Sequence, residues 1–122
     1  MSLAAASLSN HGIRPAPRIA LAVNTPQQGW VILNPLSKSV QALTQVFADA
    51  QAVQHLAEGQ PYWEHVSSVK QDKNDVTWYL AGTPPDWQGA PLTIVVLLEG
   101  ENNQLAKKIG SDVLKSALNS SQ

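Results

Sequence analysis

Ser67-Ser68-Val69-Lys70 is the stretch of this chain that comes nearest to a catalytic pattern. In an S-x-x-K arrangement a lysine removes the proton of a serine that then attacks an acyl carbon, and both residues must share one helix face, a turn apart. Here the four residues close a run, Tyr62 to Val69, that reads as a strand. An offset of three on a strand sends the two side chains to opposite faces. The pattern is therefore read as a strand running into a charged turn, Lys70 to Asp75. The three histidines, His11, His55 and His65, fall in a loop, on a helix and on a strand, with no H-x-x-x-H or related ligand spacing. They read as isolated surface histidines. Glu64 and His65 are adjacent, so on a strand they point apart. Asp72, Asp75, Asp86, Glu99 and Glu101 sit at turns and element ends, the usual place for solvated carboxylates. No phosphate-binding glycine loop is present. The residue-level reading thus assigns no catalytic, cofactor-binding or metal-ligating residue and implies no cofactor.

Composition narrows the classes further. A chain of 122 residues with 43% hydrophobic content is enough for one modest core. A net charge of -1, with its eight Lys and Arg scattered, gives no electrostatic footprint for nucleic acid. The absence of cysteine excludes disulfides, thiolate zinc sites and thiol catalysis. No run approaches the length of a membrane span. The start lacks a basic n-region and a long apolar run, so any export signal must lie on sequence outside this chain. Met1-Ser2-Leu3 reads either as an added leader or as the beginning of a helix remnant. Four tryptophans, Trp30, Trp63, Trp78 and Trp87, are the notable enrichment. Most should be core, with Trp87 the one expected at the surface because its neighbours are polar.

The elements that would position these residues follow from periodicity and turn chemistry. Residues 1–17 read as an extended or helix-remnant leader: Leu3 to Leu8 suits the last turns of a helix, Asn10 and Gly12 suit its end, and Arg14-Pro15-Ala16-Pro17 must be extended. Residues 19–33 predict a hairpin turning at Thr25-Pro26-Gln27-Gln28-Gly29. Val40, Leu43, Val46, Phe47, Ala50, Val53, Leu56 and Ala57 recur at helical spacing, predicting a helix over 38–57 capped by Ser37 or Ser39 and stopped by Gly59 and Pro61. Strands are expected at 62–69, 76–81 and 92–98, the last apolar on both faces. Residues 103–118 form a final helix with Leu105, Ile109, Val113 and Ala117 as its inward stripe, Lys107, Lys108 and Lys115 outward, and Asn102 or Asn103 as cap. Short connections make the last three strands an antiparallel meander. The expected fold is α+β, in the order β-β-α-β-β-β-α: a three-stranded meander plus an N-terminal hairpin, covered by two helices in a single domain.

Two groups of residues carry a family resemblance. Asn10-His11-Gly12-Ile13-Arg14-Pro15-Ala16-Pro17-Arg18-Ile19 resembles the Asn-Gly-Gly, Pro-x-Pro and strand that follow the second catalytic motif of penicillin-binding transpeptidase domains, in the serine β-lactamase-like superfamily. Thr77-Trp78-Tyr79-Leu80-Ala81-Gly82, Leu92 to Glu99 and residues 103–118 resemble that domain's closing strands and C-terminal helix. The match covers nearly the whole chain, in order, through loose structural motifs. The family's S-x-x-K and S-x-N would lie upstream of Met1, and its Lys-Thr-Gly is missing from Tyr62 to Lys70. The resemblance implies a non-catalytic C-terminal subdomain, structural support for a cell-wall peptide site. Its partner would be the remainder of a membrane-anchored, extracytoplasmic parent, either an active D,D-transpeptidase or a pseudoenzyme. Peptidoglycan peptide or β-lactam would be met only through that parent. The other reading of the residues is an independent α+β ligand- or protein-binding module whose contact surface is Trp87, Trp63 and Tyr79. An apolar strand 92–98 with an open edge should be covered by the 19–33 hairpin or should self-associate.

Overall fold

The computed structural model describes residues 1–18, 20–70 and 75–120. Most of the polar turn expected at 70–75, with Asp72, lies outside the described residues, as does Ile19. In chain order the elements are α1 (Ser2–Leu8), β1 (Ile13–Arg14), β2 (Ala22–Thr25), β3 (Gly29–Ile32), β4 (Val40–Gln41), α2 (Gln45–Gln54), β5 (Trp63–Val69), β6 (Val76–Gly82), β7 (Thr93–Glu99) and α3 (Asn103–Ser120). The α+β class and the order of the main elements are as the sequence predicts. No helix among the described residues is long and apolar enough to cross a membrane.

The meander β5-β6-β7 is antiparallel throughout, with Tyr79 opposite both Val66 and Val96. Period-two alternation splits it into two faces. Thr77, Tyr79 and Ala81 lie beneath α3, where Tyr79, Ala81, Ala106, Leu114 and Leu118 form the larger core. On the other face Trp63 packs with Ala5 of α1 and Ala52 of α2, joined by Leu8, Leu80 and Val95. Strand β7 is thus covered on both faces, which is why its sequence is apolar at consecutive positions.

Four expectations are corrected. The helix expected at Leu3 to Leu8 forms as α1, but it is no detached leader: it buries Ala5 in the second core and so adds a third helix over the sheet. Its exit is a left-handed pair, His11 (φ 50) and Gly12 (φ 80). Ala42 and Leu43 N–H both donate to the Gly12 carbonyl, and a Cβ on Gly12 would collide with the Leu43 carbonyl.

That junction also shortens the second helix. Val40–Gln41 pairs with Ile13–Arg14 instead of starting a helix, and α2 begins only at Gln45, after Thr44. Ser37 and Ser39 cap nothing, and Gly59 (φ 67) belongs to the turn beyond the helix. The buried face of α2 is Ala48 and Ala52, while Val46 and Val53 are 81% and 64% exposed.

The third correction concerns α3. Its buried line is Ala106, Gly110, Leu114 and Leu118, one residue along from the predicted stripe, leaving Leu105, Ile109 and Val113 exposed. The small pair Ala106 and Gly110 lets the helix axis come down onto Tyr79. Asn102 caps the helix, its Oδ1 accepting from the Leu105 N–H at 3.0 Å.

Finally, the hairpin β2-β3 forms, paired Thr25 to Gly29, but as a sheet of its own that does not pair with β7. Trp30 on it is 73% exposed, the reverse of a core tryptophan.

Candidate functional site

Of the three aromatic residues expected to form a contact surface, two are inside. Trp63 opens β5 with its indole between α1 and α2, and its Nε1–H reaches Ser9 Oγ (2.9 Å) and the Thr83 carbonyl (3.2 Å). Tyr79, central in β6, is wholly buried beneath α3. Neither is available for contact: Tyr79 sits mid-strand beneath α3, and α1 and α2 converge on Trp63 at the start of β5. Trp87 is half-buried in the β6–β7 connection and lines a groove with Leu56, Pro61, Pro84 and Asp86. That groove, of about 270 Å³, shares those four residues with a second hollow of about 440 Å³ that ends on His11 and Asp49.

The combined groove has an apolar floor and a polar end. The Nδ1 of His11 lies 3.0 Å from Asp49 Oδ1, bringing the loop after α1 onto α2. Asp86 stands at the Trp87 end. Among the described residues no serine or lysine lines it, so its walls offer apolar contact and two carboxylates rather than a nucleophile with a base. Sequence periodicity had no means of joining His11 to Asp49, which are far apart in the chain and meet only through packing.

The other motif residues are distributed as strand geometry requires. Lys70 pairs with Glu101 (3.3 Å), and the Ser68 hydroxyl meets Thr77 Oγ1 (2.9 Å) and donates to Asn103 Oδ1 (2.6 Å), so S-x-x-K is not assembled. His55 and His65 are not isolated: their rings meet edge to face, centroids 4.9 Å apart. No group of three or more His, Asp or Glu among the described residues could hold a metal ion.

The most strongly perturbed groups lie on the α3 face. Glu64 accepts from the Tyr79 hydroxyl at Oε2 (3.0 Å) and from Lys107 Nζ at Oε1 (2.6 Å), tying β5, β6 and α3 together. Lys107, predicted to point outward, turns in to make this contact. Burial pushes the Tyr79 phenol far above its ordinary value, and the Glu64 charge and hydrogen bond push it further. The hydrogen bond and charge of Glu64 also raise Lys107. Both groups have a higher pKa folded than unfolded, so the stability they confer is complete below about pH 10 and is lost above it. Urea unfolding free energies are expected to fall above that pH by up to about 1.4 kcal/mol per pH unit from Tyr79 alone. The slope should flatten in Tyr79→Phe. An unchanged slope in that variant would place the titration elsewhere.

No protein-family model matches the chain, and comparison with curated proteins and with solved structures finds no match.

Proposed function

We propose that this chain is the non-catalytic C-terminal subdomain of a penicillin-binding, peptidoglycan transpeptidase-like protein. In this reading it is structural support for a cell-wall peptide site, within a parent that is membrane-anchored and works outside the cytoplasm. What carries the reading is the combination of element order with uncovered apolar surface. The extended entry, hairpin, helix, meander and closing helix keep the order on which the resemblance rests. At the same time Trp30, Ile32 and Val46 are each more than 70% exposed. Contact with the remainder of a parent chain would take these large side chains out of water. A second reading, an independent module binding through the Trp87 loop, draws on the groove described above.

Two measurements test the proposal. A fluorescent penicillin incubated with this 122-residue chain is expected to leave no covalent band, because S-x-x-K is split across the strand. Covalent labelling of the chain would sink the non-catalytic reading. The encoding gene is expected to carry S-x-x-K and S-x-N in frame ahead of Met1. A stop codon there would instead favour the independent module.

A further inference from the structure

The outer edge of β7 is a ready-made pairing surface, and its geometry can be read from its two ends. Thr83 N–H donates to the Leu92 carbonyl (2.9 Å), and Gly100 N–H donates to the Asp75 carbonyl (2.6 Å). Both fit the same β6–β7 register. In an antiparallel ladder hydrogen-bonded pairs alternate with non-bonded ones, so Ile94, Val96 and Leu98 turn their backbone groups toward β6. Thr93, Val95, Leu97 and Glu99 turn theirs outward. Among the described residues no strand pairs with that edge, and the hairpin stands apart as its own sheet. The edge also has little of the usual protection: no lysine, proline or bulge interrupts Thr93 to Glu99, and its one charge is at the end.

We propose that the occupant of this edge is a second copy of the chain, paired β7 to β7 antiparallel about a two-fold axis at Val96. Three observations single out this partner. The two-fold register joins every outward-facing residue to another, Val95 to Leu97 and Thr93 to Glu99, for about eight backbone hydrogen bonds. It places apolar against apolar on both faces and covers Leu97, now 51% exposed. It also sets the strand's one charge, Glu99, opposite Thr93, whereas an in-register parallel pair would stack Glu99 on Glu99.

A further observation comes from α3. Relative to its buried line, Lys107 lies on one flank and reaches Glu64 of β5. Leu105, Ile109 and Val113 lie on the opposite flank, the β7 side, each 39% or more exposed. The two-fold brings the same flank of the partner's helix alongside, antiparallel. The stripe that the monomer leaves in water then becomes a helix–helix contact over a continuous six-stranded sheet. Such a closed two-fold ends in a dimer. The pairing stands on β7 and α3 alone and does not depend on the transpeptidase-like reading, so the penicillin result leaves it untouched.

Sedimentation velocity from about 1 to about 100 μM tests it. The chain is expected to reach twice the monomer mass at the upper end. Leu97→Pro removes an outward N–H without touching the β6 ladder, and Leu97→Lys adds a charge to the edge; both should remain monomeric with an unchanged far-UV spectrum. Leu36→Lys, an exposed site outside every strand, should still dimerise. Amide exchange on the unaltered chain reads the same surface without a variant: Val95 and Leu97 should be protected in the dimer and exchange on dilution. A monomer at every concentration, a dimer that survives both edge variants, or growth beyond two copies would overturn the proposal.

Discussion

Replacing Gly110 with alanine is expected to lower the stability of the fold by about 2 kcal/mol, although the same change in an isolated helix would raise it. The added Cβ would overlap ring carbons Cδ1 and Cε1 of Tyr79, which lies wholly buried beneath α3. Overpacking of this kind costs about 3 kcal/mol at the upper end of the usual range. Alanine's better helix propensity returns about 1 kcal/mol. The ring cannot retreat cheaply, because its hydroxyl is held by Glu64, which Lys107 holds in turn. Thermal unfolding should show a midpoint lower by about 8 °C. Lys115→Ala, on the exposed side of the same helix, should change stability by no more than about 0.5 kcal/mol. A Gly110→Ala chain more stable than the parent sequence would mean that α3 does not sit on Tyr79.

The largest single loss is expected at Trp63. Trp63→Ala should cost about 3–5 kcal/mol, read by urea unfolding followed in the far ultraviolet. The side chain is 1% exposed and fills the space between α1, α2 and the sheet. Its removal leaves a cavity and also strips a donor from the Thr83 carbonyl and the Ser9 hydroxyl. Against a typical domain stability of 5–15 kcal/mol, roughly, that is enough to leave a substantial unfolded population. Trp63→Phe keeps most of the volume and loses the indole donor, so it should cost less than half as much. Trp30→Ala, on the exposed hairpin, should be nearly neutral. Equal effects at Trp30 and Trp63 would contradict the burial described here.

The contrast between those two tryptophans shows where sequence reasoning stops. Both lie on strands, and nothing within a few residues of either separates core from surface. Trp63 is buried because α1 and α2 converge on the start of β5. Trp30 is exposed because, among the described residues, no helix packs closely across its two-stranded sheet. The same limit applies to the site. Trp87 was legible as a loop aromatic from its polar neighbours, but the groove it lines needs Leu56 and Pro61 from another part of the chain. His11 and Asp49, which close that groove, carry no local signal of their meeting.

Helix faces make the point more sharply. The large apolar residues of α2 and α3 mark clean stripes, yet each helix buries the line beside its stripe, with small residues at the point of closest approach. Ala48 and Ala52 let α2 approach α1 and Trp63, and Ala106 and Gly110 let α3 approach Tyr79. Close backbone approach fills space better than long side chains do when the facing residue is a large aromatic ring. A hydrophobicity pattern records which residues prefer burial, not which interface is available.

By itself the sequence determined the local elements and their order. Proline, glycine and two- or 3.6-residue periodicity act within a few positions, and β5, β6, β7 and α3 lie where those signals put them. Tertiary structure alone decided that Val40–Gln41 is a strand, through its pairing with Ile13–Arg14 around Gly12. It also decided which faces of α2 and α3 are dry and that the hairpin leaves the β7 edge open. These are contacts between distant segments, whose energies depend on shape and backbone pairing that no short window of residues contains.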